Sequence, residues 1–302
     1  MLLSQDNPTV SFAPVDLDGL PARLSALHPA PGAAPDASIV VPVNACGDLT
    51  NVRRLLSDIG RYDGVHRLEV VLVVNNFRED SPPAEIETLR ALGATVLAVP
   101  NVRKPGEAAG FSARIPGVRA ARSEPVMLFD ADCRIPQPTP LIDWYIAQLQ
   151  QAASAAYSHV AYYEFTAAAS IRVRFALHHA SRWLKRSVLR IPTTRGSNYA
   201  VRRSAMLELY ERGLLADEMN VGPVFRRFVG QVAYSGDRRH TVYTSGRMFR
   251  PGWRRVAPYF LYRLRYNLRV LPVHSDVASR TGRQRDPVRR YDAENRPIRS
   301  AK

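Results

Sequence analysis

The chain has 302 residues, of which 46% are hydrophobic, and this length and composition indicate a globular protein with one large α/β domain or two small ones. Its 42 Lys and Arg residues outnumber its 27 Asp and Glu residues, which gives a formal net charge of +15. Such a charge favours an anionic partner, for example a nucleotide diphosphate, an anionic lipid surface or a nucleic acid. The two cysteines, Cys46 and Cys133, are too few for a disulfide framework or a zinc site, so we expect a reducing compartment.

Residues 1–36 are rich in proline and alanine, and we expect them to form an arm or linker outside the core. The amino terminus does not show a basic segment followed by an apolar one, so a secretory signal is not predicted. No apolar run approaches the roughly 18 to 20 residues that cross a bilayer. The expected location is therefore the cytoplasm, with the inner face of the membrane as a peripheral site.

Strands and helices alternate over the next hundred residues. Apolar runs bounded by turn residues predict buried strands at 37–44, 68–74, 95–99 and 126–129. Helices are predicted between them, at 49–59 with Asp48 as N-cap, at 83–92, and at 110–121 with an interruption at Pro116. Strand–helix alternation with short connections favours a parallel sheet with right-handed crossovers.

The strand at 126–129 ends in two carboxylates, Asp130 and Asp132, one residue apart. Carboxylates this close repel each other, and a divalent cation beside them relieves the repulsion. Oxygen ligands favour Mg2+ or Mn2+. The alternative for this tripeptide is a solvated turn, where Asp is common. Asn44 and Asn75 end two other strands, so these polar residues are expected along one sheet edge, where open α/β sheets bind nucleotides.

The second half of the chain is less regular. A helix is predicted from Pro140 to about residue 156, then one or two strands within 157–166, and a basic helix at 170–189. A Gly-Ser-Asn turn at 196–198 and the acidic pair Asp217 and Glu218 follow. His240 stands at the start of the run 241–245. The acidic pair is also compatible with an ordinary helix start, and the histidine with a surface residue.

The order of these motifs resembles that of the family 2 glycosyltransferases of GT-A fold, over residues 37–250. The matching segments are the first strand at 38–44, the second-strand end at 73–76, the basic loop at 101–114, the Asp-Ala-Asp motif at 130–132, the loop at 196–203 and the acidic pair at 217–218. The resemblance implies a Rossmann-like, mixed but mostly parallel sheet flanked by helices. It also implies a nucleotide-binding half at 37–136 and an acceptor half at 137–250.

The resemblance implies a metal-dependent, inverting transfer of one sugar from a nucleotide-diphosphate sugar to an acceptor hydroxyl on a small molecule, a glycan or a lipid-linked compound. Asp132 would hold Mn2+ or Mg2+, with Asp130 reaching the ribose or a metal-bound water and His240 as a third ligand. Glu218, or its neighbour Asp217, would be the general base. The residues that would bind the donor are Pro42, Asn44, Asn75, Lys104, Arg114, Asp130 and Arg247. The residues that would contact the acceptor are Gly196, Ser197 and Asn198.

The chain departs from the family pattern in four places. Asn75 stands where the family usually has Asp, Phe77-Arg78 stand where it has Gly-Ser, and the acidic pair is usually Glu-Asp. The Gln-x-x-Arg-Trp motif of processive synthases is absent from the sequence, which favours transfer of a single sugar.

Two other functions agree with parts of the sequence. A nucleotidyltransferase usually carries a Gly-rich, Lys-bearing loop after its first strand, whereas residues 44–48 contain one glycine and no lysine. A non-catalytic anion-binding or nucleic-acid-binding protein would suit the charge, but the arginines are spread along the chain and no nucleic-acid motif is recognisable, so no nucleic-acid partner is expected.

The carboxyl-terminal part is predicted to contain a basic amphipathic helix at 251–278 and a disordered basic tail at 279–302. Apolar and arginine residues interleave along that helix. It therefore suits either an anionic membrane surface or a core-packed position with a basic outer face.

Overall fold

The computed structural model describes residues 12–30, 32–100, 109–163, 169–215 and 217–246. Four predicted features lie outside the described residues: most of the basic loop with Lys104, then Arg247, the helix at 251–278 and the tail at 279–302.

Eight α-helices are found within the described ranges: α1 (Leu20–Leu27), α2 (Leu49–Ile59), α3 (Glu85–Ala91), α4 (Ala109–Ala120), α5 (Pro138–Gln151), α6 (Ala169–Trp183), α7 (Arg203–Glu211) and α8 (Glu218–Phe228). A π-helical turn, Leu184–Val188, continues α6, and a 3-10 turn covers Arg238–His240. The strands are β1 (Ala37–Asn44), β2 (Leu68–Asn75), β3 (Thr95–Val99), β4 (Pro125–Leu128), β5 (Ala153–Ser158), β6 (Val160–Tyr163), β7 (Tyr199–Arg202), β8 (Gln231–Ser235) and β9 (Val242–Ser245). No described helix combines the length and apolarity needed to span a membrane.

Seven strands form one sheet in the order β3-β2-β1-β4-β7-β5-β8. β7 runs antiparallel to both of its neighbours, and the other pairs are parallel. β6 and β9 form a separate parallel pair. The expected mixed, mostly parallel sheet with flanking helices is therefore confirmed.

Helices cover both faces of the sheet. Successive side chains of a strand point to opposite faces, so each strand contributes to the core on both sides. In β1, Ile39 and Val41 join a core cluster with residues of α1, α2, α3 and α5, whereas Val40 joins the opposite cluster with residues of α4, α7 and α8. β1 and β2 are buried along almost their whole length, as their continuous apolar runs predict.

The boundaries of β1, α2 and β3 agree with the sequence prediction, but the amino-terminal arm does not. Leu20, Leu24 and Leu27 are buried in the core cluster that includes α2. The expectation that all of residues 1–36 lies outside the core is therefore wrong for 20–27. Leucines at spacings of four and three share one apolar helix face. The prediction considered only the Pro/Ala-rich composition of this segment and therefore missed that face.

Two helix predictions also need correction. α4 continues through Pro116 and is not interrupted there. The following residue, Gly117, lets the helix approach the sheet closely, because a Cβ atom there would lie 2.5 Å from Val40 Cγ1 and 2.8 Å from Val73 Cγ2. α5 ends at Gln151, and the alanine-rich segment that was predicted to continue it forms β5. Every residue of β5 is buried, so tertiary packing overrides the helix propensity of alanine.

Candidate active site

Arg114, on α4, lies at the centre of the candidate site and is fully buried. Its Nη1 donates to Glu218 Oε1 at 2.5 Å, and its Nη2 donates to Asp130 Oδ1. Nη2 also donates to the carbonyl of Gly196 at 2.6 Å, and Nη1 to that of Gly110 at 2.9 Å. One cation therefore joins the Asp-Ala-Asp turn, the Gly-Ser-Asn loop and the acidic pair.

The charge of Arg114 is maintained by its two carboxylate partners. Burial disfavours the charged form of the guanidinium, but the negative charges of Asp130 and Glu218 outweigh this effect and raise the pKa of Arg114. The resemblance implied that Arg114 binds the donor. In the structure its guanidinium donates to protein oxygens and holds the two carboxylates together, and donor binding by Arg114 stays a prediction.

Two glycines permit this close arrangement. A Cβ atom on Gly196 would lie 3.0 Å from Arg114 Nη2 and 3.3 Å from Asp130 Oδ1. A Cβ atom on Gly110 would lie 2.9 Å from Glu218 Oε1. Any side chain at either position would push against the groups that form the ion pairs.

The acidic pair divides into two roles. Asp217 is the N-cap of α8, and its carboxylate accepts from the backbone N–H of Met219 at 2.7 Å. This is the ordinary helix-start role of a carboxylate. Glu218 lies one residue further and reaches Arg114, so Glu218 and not Asp217 belongs to the Arg114 site.

Asp132 is held by the small β6–β9 sheet. Its Oδ1 accepts from Thr244 Oγ1 at 3.1 Å, and its carbonyl accepts from the Tyr163 hydroxyl at 2.7 Å. The sequence prediction missed both residues. The alternation of β9, which buries Val242 and Thr244 on one face, is the signal that marks Thr244 as inward-facing.

Cys133 contacts the loop that carries Ser197. Its Sγ donates to the carbonyl of Ser197 at 3.2 Å. Burial, followed by the charges of Asp130 and Asp132, raises the pKa of the Cys133 thiol well above its usual value. The thiol is therefore a packed and protonated link between two loops.

Ser197 and Asn198 were expected to contact the acceptor, and both are buried. Asn198 Nδ2 donates to Ser158 Oγ at 2.5 Å, and Asn198 Oδ1 accepts from the Tyr145 hydroxyl. Both ends of this amide are thus engaged by the protein. Asn198 anchors the loop, which leaves Gly196 as the loop residue that reaches the Arg114 site.

His240 was expected to be a third metal ligand, and in the structure its imidazole contacts Ser235 and Trp144. Its Nδ1 is 2.7 Å from Ser235 Oγ, and its ring stacks on Trp144 with a centroid distance of 5.2 Å. Burial lowers its pKa. Within the described part of the chain, no group of three or more His, Cys, Asp or Glu side chains is arranged to hold a metal ion. The role of His240 as a third metal ligand stays a prediction.

Asn44 and Asn75 pair in register at the carboxyl ends of β1 and β2, the sheet edge where nucleotide binding was expected. Asn75 Nδ2 donates to the carbonyls of Val43 and Val73, at 3.2 and 3.1 Å. Asn44 Oδ1 accepts from the backbone N–H of Cys46 at 2.9 Å, which shapes the turn into α2. Pro42 lies in the part of β1 beyond its pairing with β4, which ends at Val40, so its missing N–H leaves that pairing intact.

Comparison with known proteins supports the fold. The chain resembles the structure of the mannosyltransferase PcManGT from Pyrobaculum calidifontis, in complex with GDP-Man and Mn2+, with a TM-score of 0.51, 17% identity and coverage of 87% of this chain and 81% of that one. Glucosyl-3-phosphoglycerate synthase from Mycobacterium tuberculosis matches with a TM-score of 0.47, 18% identity and coverage of 88% and 86%. Neither a protein-family model nor a curated protein sequence matches the chain. The fold is the GT-A type.

Proposed function

We propose that the chain is a metal-dependent glycosyltransferase that moves one sugar from a nucleotide-diphosphate sugar to an acceptor hydroxyl, with inversion at the anomeric carbon. The observation that carries this proposal is the pairing of Asp130 and Glu218 on the buried guanidinium of Arg114. It holds a carboxylate of the Asp-Ala-Asp turn and a candidate general base beside each other, on a GT-A fold.

The carboxylates of Asp132 and Asp130 are the groups that would hold Mn2+ or Mg2+. Such ions are often bound by one or two carboxylates together with substrate phosphates, so the two aspartates suffice without His240. The bound metal would neutralise the charge that develops on the leaving diphosphate. Pro42, Asn44 and Asn75 would line the nucleotide edge, and Lys104 and Arg247 remain predicted donor ligands.

Glu218 is the proposed general base. Its Oε1 is fixed by Arg114 at 2.5 Å, and in the described part of the chain no hydrogen bond to its Oε2 is formed. Oε2 would take the proton of the acceptor hydroxyl while the acceptor oxygen bonds to the anomeric carbon. The bond from that carbon to the diphosphate oxygen breaks, and its electron pair leaves with the nucleoside diphosphate. Attack on the face opposite the leaving group inverts the centre.

The acceptor class is proposed to be a small molecule, a glycan or a lipid-linked compound. We further propose a cytoplasmic site of action with peripheral contact to an anionic membrane surface, supported by the net charge of +15.

The test is thermal unfolding of the full chain with UDP, GDP, dTDP or CDP, each with and without Mn2+, in the wild type, Asp132→Ala and the control Asp18→Ala. Asp18 is exposed and lies just before α1. A ligand that binds only the native state stabilises it by about 2.7 kcal/mol at a hundredfold excess over Kd, which shifts the melting temperature measurably.

We expect one nucleotide to stabilise the wild type and Asp18→Ala only when metal is present, and Asp132→Ala to lose this effect. If no nucleotide stabilises any of the three proteins, the donor assignment is wrong. The Asp-Ala-Asp segment is then a structural turn.

A further inference from the structure

The small sheet formed by β6 and β9 has two different faces beside Asp132. Thr244, which donates to the Asp132 carboxylate, pairs in register with Tyr162, so these two residues belong to one face. Tyr163 and Tyr243 belong to the opposite face, because successive residues of a strand point to alternate sides. The amino-terminal segment before α1 packs on this opposite face.

Phe12 is the residue of that segment that makes the contact. Its ring meets the Tyr163 ring at a centroid distance of 5.7 Å and an angle of 76°, and the Tyr243 ring at 5.5 Å and 86°. Such edge-to-face arrangements are favourable for aromatic pairs. The guanidinium carbon of Arg134 lies 4.5 Å from the centroid of the Phe12 ring, which adds a cation–π attraction. One ring therefore contacts three side chains.

Each of these three side chains belongs to a residue that fixes the segment 130–134, which we call the Asp132 turn. The Tyr163 hydroxyl donates to the carbonyl of Asp132 at 2.7 Å. Arg134 lies at the end of the turn and pairs with Tyr243 through two backbone hydrogen bonds, of 2.8 and 2.9 Å. The supports of the Asp132 turn on this side thus share one packing partner, Phe12.

The segment that carries Phe12 is itself attached at both of its ends. Arg134 donates from Nη2 to the carbonyl of Ala13 at 3.2 Å, and its Nε donates to the buried carboxylate of Asp58 at 2.7 Å. Further along, Arg23 of α1 donates to the carboxylate of Asp16 at 2.5 Å and to its carbonyl at 2.9 Å. The segment therefore connects α1, whose leucines lie in the core, with the Asp132 turn.

These contacts bear on the carboxylate that is proposed to hold the metal. Thr244 orients the carboxylate of Asp132 directly, whereas Tyr163 holds the backbone from which that carboxylate projects. Contacts that orient a metal ligand from behind contribute strongly to metal affinity. Removal of the Phe12 ring would open space beside Tyr163 and Arg134, so the backbone of the turn would be held less firmly while the Thr244 contact remains.

We propose that Phe12 is a positioning residue of the proposed metal site. Its ring keeps Tyr163 and Arg134 against the Asp132 turn and thereby fixes Asp132. The amino-terminal segment is then a working part of the site. This role rests on the proposed binding of a metal by Asp132, whereas the packing of Phe12 against the turn does not depend on it.

The first experiment measures the Kd of the nucleotide that stabilises the wild type, by calorimetry at saturating Mn2+ and at a temperature where every variant is folded. The variants are Phe12→Ala, Phe12→Leu and the control Val15→Ala, which trims an apolar side chain of the same segment that is 40% exposed. We expect Phe12→Ala to raise the Kd about tenfold, the scale of lost support behind a metal ligand. Val15→Ala should match the wild type. Phe12→Leu keeps apolar bulk without the ring and should lie between Phe12→Ala and the wild type.

A merely structural role of Phe12 would lower the melting temperature and leave the affinity of the folded protein unchanged. An unchanged Kd in Phe12→Ala therefore overturns the positioning role. Where Phe12→Ala does not fold, an unchanged Kd in Phe12→Leu overturns it in the same way.

The second experiment needs no ligand and uses Cys133, which lies within the Asp132 turn and is buried, whereas Cys46 is exposed. With the thiol reagent DTNB, Cys46 should react first and Cys133 in a slower phase that requires the turn to open. We expect Phe12→Ala to accelerate the slow phase about tenfold, because two aromatic pairs are lost. Val15→Ala should leave that phase unchanged.

Ile86→Val is the control for a general loss of stability. It removes one buried methyl group from α3, which packs on β3 at the far edge of the sheet. We expect it to leave the slow phase of Cys133 labelling unchanged. If Phe12→Ala does not accelerate this phase, or if Ile86→Val accelerates it equally, Phe12 does not fix the turn and the positioning role is overturned.

The two experiments separate the failure of this role from the failure of the proposed function. A wild type that binds no nucleotide with Mn2+ refutes the proposed function and with it the metal-site role of Phe12, although faster Cys133 labelling in Phe12→Ala would still show that the ring fixes the turn. A wild type that binds nucleotide with Mn2+, together with an unchanged Kd in Phe12→Ala, refutes the positioning role alone.

Discussion

Replacing Arg114 with methionine removes the cation that holds Asp130 and Glu218 together. Methionine preserves much of the volume of the buried stem, so the main loss is electrostatic. The Glu218 side chain is 16% exposed and the Asp130 side chain 41% exposed. Glu218 cannot be well hydrated after the change, whereas Asp130 can.

Removing one partner of a buried ion pair costs roughly 3 to 5 kcal/mol, because the other charge stays buried without compensation. Glu218 should account for most of this cost, since hydration of the more exposed Asp130 limits its share. Glu218→Gln should cost less, roughly 1 to 3 kcal/mol, because Arg114 keeps Asp130 and two backbone carbonyls. In the double variant the glutamine removes the isolated charge. The two effects should therefore differ from additivity by roughly 0.5 to 3 kcal/mol.

The assay is equilibrium unfolding in urea, with the free energy of unfolding obtained by linear extrapolation. Arg119→Met is the matched control, because Arg119 lies on the same helix with a side chain 54% exposed. It should change stability by less than about 0.5 kcal/mol. The reasoning is refuted if Arg114→Met loses no more stability than this control, or if the double variant is additive.

Three further predictions concern the neighbouring residues. Gly196→Ala places a Cβ atom 3.0 Å from Arg114 Nη2. Nucleotide binding in the presence of Mn2+, measured by calorimetry, should therefore weaken tenfold or more. Unchanged affinity would contradict the close approach of Gly196 to Arg114. Asn198→Ala leaves the buried hydroxyls of Tyr145 and Ser158 without their amide partner and should cost about 1 to 3 kcal/mol of unfolding free energy. The melting shift caused by nucleotide and Mn2+ should be retained. Loss of that shift at full stability would favour a ligand-binding role for Asn198. Burial lowers the folded pKa of His159 to about 4 and that of His179 to about 3, below the ordinary value of 6.5, so this contribution to stability should be complete above pH 6.5 and fall as the pH drops towards 4. His179→Gln should reduce this fall in urea titrations, and an unchanged slope would contradict the reasoning.

The strands of the nucleotide-binding half were predictable because each is a continuous apolar run between turn residues. β1 and β3 have the predicted bounds for this reason. β5 was not predictable in the same way, because its alanines favour a helix in isolation, and only their place between β7 and β8 makes them a buried strand. Local patterns thus identify strands that carry large apolar side chains and fail for strands made of small ones.

The roles of individual arginines were the least predictable part. The sequence contains 42 Lys and Arg residues, and nothing in local spacing separates buried Arg114 and Arg182 from exposed ones. The contact between Arg114 and Glu218 joins residues 104 positions apart. A pattern that extends over a few residues cannot report such a contact, so the positioning role of Arg114 emerges only from the fold.

The meeting of these distant segments follows from the direction of one strand. β4 pairs antiparallel with β7, and Leu128 at the end of β4 lies opposite Tyr199 at the start of β7. The turn after β4, which carries Asp130, must therefore lie at the same end as the loop before β7, which carries Gly196. A parallel β7 would place that loop at the opposite edge of the sheet, away from Arg114. The antiparallel direction of β7 within a mostly parallel sheet thus brings the two halves of the candidate site together.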